Sequence, residues 1–240
     1  MSDLPVLDHW VGGAAWPGTS TRTAPVYDPA RGEAQREVRL AGADDVAAAV
    51  ASATAAAPAW RDASLAKRQG VMFAFREILN ARKEELARIL TSEHGKVLAD
   101  AHGEIARGLE VVEFACAAPH LLKGEYSESV STGVDVYTLR QPLGVVGVIS
   151  PFNFPAMVPL WFVPIALAAG NAVVLKPSEK DPSAANWIAE RYAEAGLPAG
   201  VLSVVHGDKE AVDAILEHPD IASVSFVGST PIAKYIYETA

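Results

Sequence analysis

Hydrophobic positions along this chain change period several times, and each change marks an element. Residues 43–60, ADDVAAAVASATAAAPAW, read as a helix, with two Asp in the first turn at the positive end of the helix dipole and Ala, the best helix former, through the body. Ser64 reads as the cap of a second helix in which Leu65, Val71, Phe75, Ile78 and Leu79 share a helical phase. Leu86, Ile89 and Leu90 resume the pattern after a break near Asn80, and a third helix runs from about Ala99 to Pro119. The first forty residues are rich in Gly, Pro and Thr and predict irregular structure with one or two short strands, near Asp8–Val11 and Val26–Tyr27.

From 126 to 140 the period drops to two: Val130, Val134, Val136 and Thr138 alternate around a Thr132-Gly133 turn. This is a hairpin with little core of its own. A lone hairpin is marginal in water, so it must pack on something, another subunit being one candidate. After Pro142 apolar runs alternate with helical patterns: VVGVIS, NAVVLK, VLSVVHG and IASVSFVG read as strands separated by helices. Such βαβ units predict an α/β fold, a Rossmann-like parallel sheet with helices on both faces. That architecture suits a nucleotide without requiring one.

Composition narrows the functional classes. Half of the 240 residues are hydrophobic, and the formal charge is −9, which argues against a nucleic-acid partner and gives an anionic membrane nothing to attract. A single cysteine excludes an internal disulfide and fits a reducing, cytoplasmic setting. MSDLPVLDHW has neither a basic n-region nor an apolar h-region, so no signal or transit peptide is expected. AMVPLWFVPIALAAG, residues 156–170, falls short of the roughly 20 residues of a membrane span. It predicts a buried helix whose prolines fall near the first turns, where a missing N–H matters least. The six histidines lack zinc-like spacing, so no metal is expected.

Candidate chemistry sits where strands end, since ligands of open parallel sheets lie beyond the carboxyl ends of strands. The first strand ends in SPFNFP, with Asn153 between two Phe and two Pro. Asn there is either a turn residue or a site residue. The second ends in LKPSEK: Lys176 can meet hydroxyls or phosphates, and Glu179 can accept from a ribose, unless the segment is simply a solvated charged loop. The fourth ends in FVGSTP, where Gly228 permits close backbone approach and Ser229 or Thr230 caps a helix whose N-terminus either receives a pyrophosphate or is merely well capped. The GxGxxG fingerprint is absent. On the third helix Arg107 shares a side with Val111 and Phe114, and either Glu104 or Glu110, each three residues away, could pair with it.

PFNFP, LKPSE and FVGST, in this order and spacing, resemble the aldehyde dehydrogenase superfamily. EHGKVLADAHGEIARGLEVVEFACAAPHLLKGE, FNFPAMVPLWFVPIALAAGNAVVLKPSE, AGLPAGVLSVVHG and ILEHPDIASVSFVGS resemble its CoA-acylating methylmalonate-semialdehyde dehydrogenase branch, from about His9 to the last residue. The resemblance implies NAD bound without GxGxxG, with Lys176 and Glu179 at the adenosine ribose, Lys180 beside them where the branch commonly has Arg, and Ser229 at the pyrophosphate. It implies that Ser150 and Phe152 line the cofactor cleft and that Asn153 donates its amide to an oxyanion. It assigns Arg107 to the carboxylate of a small semialdehyde substrate, coenzyme A to the role of co-substrate, and the hairpin to a homo-oligomer interface. The family attacks with a Cys thiolate, but Cys116 lies in the apolar stripe of a helix and reads as core packing. The implied organisation is an NAD-binding domain over 1–125 and 142–240, an oligomerisation hairpin over 126–141, and a catalytic domain outside this chain. The chain would then be inactive alone, and the alternative is a non-catalytic NAD-binding or oligomer-forming module. An end in mid-helix at Ala240, without cap or stop signal, favours truncation.

Overall fold

The computed structural model describes residues 4–240. Five short strands come first: β1 (Val6–Leu7), β2 (His9–Val11), β3 (Ala14–Trp16), β4 (Thr23–Asp28) and β5 (Glu33–Arg39). Four long helices and one short helix follow: α1 (Ala43–Arg61), α2 (Leu65–Ala81), α3 (Lys83–His94), α4 (Leu98–Cys116) and α5 (Ala118–Leu121). The hairpin is β6 (Tyr126–Ser131) and β7 (Val134–Tyr137). The alternating part comprises β8 (Val145–Ile149), α6 (Met157–Ala168), β9 (Ala172–Lys176), α7 (Ser183–Glu194), β10 (Leu202–Val204), α8 (Lys209–Leu216), β11 (Ile221–Phe226) and α9 (Thr230–Thr239).

The main sheet has the order β11-β8-β9-β10-β2-β3. Its first four strands are parallel, as the alternation predicts, and β2–β3 adds an antiparallel edge. Alternate residues of β8 enter opposite cores. Val146 and Val148 pack with α2, α4, α6 and α7 on one face, and Val145 and Ile149 with α1 and α8 on the other. Both faces are thus covered, which is why β8 and β9 are apolar throughout rather than alternating. The register aligns the carboxyl ends: Ile149 lies opposite Lys176 and Phe226, and Leu175 opposite Val204. The candidate residues that follow these strands therefore emerge along one sheet edge.

The predicted break falls between α2 and α3 at Arg82, and Ser64 caps α2 by accepting from Lys67 N at 3.2 Å. Two expectations need correction. The first forty residues hold five strands, and β4 and β5 form a separate small sheet with β1. Pro164 lies inside α6 rather than near its start, leaving the Leu160 carbonyl without its usual helical donor. Every residue of β6 and β7 is exposed, so the hairpin stands off the body with Tyr126, Val134, Val136 and Tyr137 uncovered. No helix among the described residues is long and apolar enough to cross a membrane.

Candidate active site

Two cavities adjoin the SPFNFP loop at the carboxyl edge of the sheet. Phe152 lines one; Asn153 and Phe154 line the other, so the loop forms a wall of each.

The first cavity, of about 740 Å³, brings together Ser150, Phe152, Lys176, Glu179 and Lys180. Lys176 is buried, and its Nζ donates to the Gly207 carbonyl at 2.7 Å and lies 3.8 Å from the Glu179 carboxylate. Burial holds the Lys176 pKa below its usual value, opposed by the charges of Glu179 and Asp208. The pair therefore presents a fixed cation and a partly exposed carboxylate, which suits hydroxyl groups. Ser150 is buried, its N–H donates to the Lys176 carbonyl at 3.1 Å, and its Oγ has no partner among the described residues. Ser150 thus lines the cavity as expected, but its hydroxyl is itself closed off from solvent. Lys180 is exposed and places its Nζ 4.6 Å from the centre of the Phe152 ring, a cation–π contact.

Ser229 is the candidate that does not join them. It occupies the N-cap position of α9, but its side chain makes no capping bond, and the cavity meets α9 further along, at Ile232 and Tyr235. Gly228 is needed for another reason than expected: a Cβ there would lie 2.2 Å from the ring of Phe226. Lys209 and Tyr235, which the sequence did not single out, also line the cavity. Tyr235 Oη donates to Asp213 at 2.8 Å and accepts from Lys209 Nζ at 3.0 Å, which ties α9 to α8.

The second cavity, of about 1060 Å³, is lined by both Arg107 and Asn153, with Val111, Met157 and Trp161 as apolar wall. Arg107 is not embedded in apolar surface, as its helical neighbours suggested. Its side chain is 70% exposed and lies 3.4 Å from Glu110, while Phe114 is itself exposed. An exposed i,i+3 pair holds a guanidinium only weakly, by a few tenths of a kcal/mol, so Arg107 is free to take a better partner. Glu104, the other candidate partner, turns inward and pairs with Lys96. No hydrogen bond holds the Asn153 side-chain amide among the described residues; the backbone carbonyl of Asn153 accepts from Lys96 Nζ at 3.2 Å. His94 also lines this cavity, its pKa lowered by burial and by neighbouring Lys96, with its Nδ1 unpartnered among the described residues.

Cys116 is buried in the main core and lines neither cavity. Burial and the nearby charge of Glu113 raise its pKa, disfavouring the thiolate.

A model of the aldehyde dehydrogenase family matches residues 16–240. The chain is 54% identical over 216 residues, 90% of its length, to malonate-semialdehyde dehydrogenase of Pseudomonas aeruginosa, of which this covers 44%. Among solved structures it matches, with a TM-score of 0.97 and 52% identity, a Sinorhizobium meliloti protein complexed with NAD and provisionally assigned as a methylmalonate-semialdehyde dehydrogenase; the match covers 100% of this chain and 49% of that one. Methylmalonate-semialdehyde dehydrogenase of Oceanimonas doudoroffii matches with a TM-score of 0.97 at 50% identity, covering 99% of this chain and 48% of that one. The chain thus spans about half the length of the relatives it matches.

Proposed function

The chain belongs to the aldehyde dehydrogenase family, and we propose that it is the N-terminal part of an NAD-dependent, CoA-acylating methylmalonate- or malonate-semialdehyde dehydrogenase. The observation that carries this reading is the shared cavity of Arg107 and Asn153 beside the Lys176–Glu179 cavity. Arg107 supplies a planar fork for a carboxylate, and Asn153 an amide donor for the oxygen of the reacting aldehyde. A substrate with a carboxylate at one end and an aldehyde at the other suits such a pair.

The Lys176–Glu179 pair in the cavity wall fits NAD, which supplies a hydride acceptor when bound, with Ser150 lining the same cavity. Glu179 would accept from the ribose hydroxyls, Lys176 would lie beside them, and Phe152 would wall the cavity toward the reacting end. Cys116 is unsuited to attack an aldehyde, being buried and absent from both cavity walls, so the nucleophile belongs to a catalytic domain beyond residues 1–240. In this reading 1–125 and 142–240 form the cofactor domain, and the uncovered hairpin at 126–141 meets another subunit of a homo-oligomer.

The test supplies the full-length protein with malonate semialdehyde, NAD and CoA. NADH and acetyl-CoA should appear in equal amounts with release of carbon dioxide. NADH without thioester would make it a hydrolytic dehydrogenase, and no NADH would remove the activity altogether.

A further inference from the structure

We infer that the buried Lys96–Glu104 pair is a positioning device that fixes Asn153 relative to Arg107; the inference rests on Asn153 being the oxyanion donor. Glu104 projects from α4 with its side chain 1% exposed. One carboxylate oxygen accepts from Ala156 N at 2.8 Å and Met157 N at 3.0 Å, the free N–H groups at the start of α6. The other pairs with Lys96 Nζ. Lys96 Nζ in turn donates to the Asn153 carbonyl at 3.2 Å and lies 5.0 Å from the centre of the Phe154 ring. One buried carboxylate and one ammonium thus grip the loop at Asn153, Phe154, Ala156 and Met157.

Two features argue that this is more than a helix cap. Ala156, at the N-cap of α6, provides no side-chain acceptor, so the cap is imported from α4, the helix that carries Arg107 three residues after Glu104. Gly108 lets the two helices close: a Cβ there would lie 2.5 Å from Leu160 Cδ1. Moreover, a buried ion pair is a poor way to gain stability, because desolvation offsets the attraction. A local Ser or Asp would cap α6 more simply. What the pair does achieve is a fixed spacing between the carboxylate reader and the amide donor.

The experiment is a double-mutant cycle in the full-length enzyme. Lys96→Met should lower kcat about tenfold to a hundredfold, the scale expected when a catalytic group is displaced by about 1 Å. Kd for NAD should change by less than about twofold, since Lys96 lines the cavity of Arg107 and Asn153 and not the nucleotide cavity. In an Asn153→Ala background the same substitution should lower kcat by less than about twofold, because there is no amide left to misplace. Lys96→Arg, which keeps the cation, should restore part of the rate. If Lys96→Met leaves a lone buried carboxylate and does not fold, the neutral double variant Lys96→Met/Glu104→Gln is measured in the same two backgrounds. Equal fold-losses in both backgrounds would make the pair purely structural and overturn the inference. Asn153→Ala at full kcat would instead refute the oxyanion role itself, a separate failure visible before the cycle is closed.

Discussion

Arg107 on α4 and Asn153 in the loop after β8 line a single cavity, although they come from different elements. That juxtaposition sets a substrate prediction. Arg107→Leu should weaken turnover of malonate semialdehyde by about 1.5–3 kcal/mol in kcat/KM, the worth of a hydrogen bond to a charged group. Propanal, which has no carboxylate, should be turned over at an unchanged rate. Stability should barely move, because the Glu110 pair is exposed. Equal losses on both substrates would return Arg107 to a purely intrahelical role.

Asn153→Ala should lower kcat by about a hundredfold to a thousandfold, as expected for removal of one oxyanion donor. Its side-chain amide makes no hydrogen bond among the described residues, so the folded state loses nothing by the change. KM should therefore stay within about twofold while kcat falls, the pattern of an interaction made only in the transition state. Steady-state kinetics with a melting curve for each variant separates this from a folding defect.

Which of these features could be read from the sequence follows from range. The Val145–Ile149 run and the helices after it carry their signal locally, and the sheet formed as those periods require. β5, EAQREVR, is mostly polar and only half-buried, so no apolar alternation announced it. β2 and β3 join the main sheet beside β10, a pairing across almost the whole chain that no local pattern encodes. The loop residues at the sheet edge were legible because strand ends are where ligands sit. Lys96 and Glu104 were not, because charged residues on helices ordinarily point to solvent, and only tertiary packing shows that these two are buried.

Glu179 should set the nucleotide preference. A carboxylate at the ribose repels a 2′-phosphate, while the Lys180 ammonium is engaged with the Phe152 ring rather than committed to the ribose. Glu179→Gln in the full-length protein should therefore narrow the preference for NAD over NADP, by roughly tenfold if one charged hydrogen bond of about 1.5 kcal/mol is lost. Fluorescence titration with both nucleotides measures the ratio. An unchanged ratio would take Glu179 out of the site.

Asp181 should make stability depend on pH in the direction opposite to most carboxylates. It is buried just before α7, and its Oδ1 has no partner among the described residues. Burial first, then the charges of Glu93 and Glu104, push its pKa from 3.8 up to about 8. Between those two values the folded protein keeps a proton that the unfolded chain has lost, so this group favours folding at low pH. That contribution is lost as pH rises toward 8 and does not change above it. His9 acts with the opposite sign. Burial lowers its pKa from 6.5 to about 4, so the folded state refuses a proton that the unfolded chain accepts, and stability falls as pH drops through that window. Asp181→Asn is neutral at every pH and mimics the protonated side chain. Its advantage over wild type should be near zero at about pH 4 and reach a few kcal/mol at about pH 9, since a tenfold change in a protonation equilibrium corresponds to about 1.4 kcal/mol. Urea unfolding of both proteins across this range reads the difference directly. Parallel curves would mean that Asp181 ionises freely in the folded state and that its buried, unpartnered setting does not persist in solution.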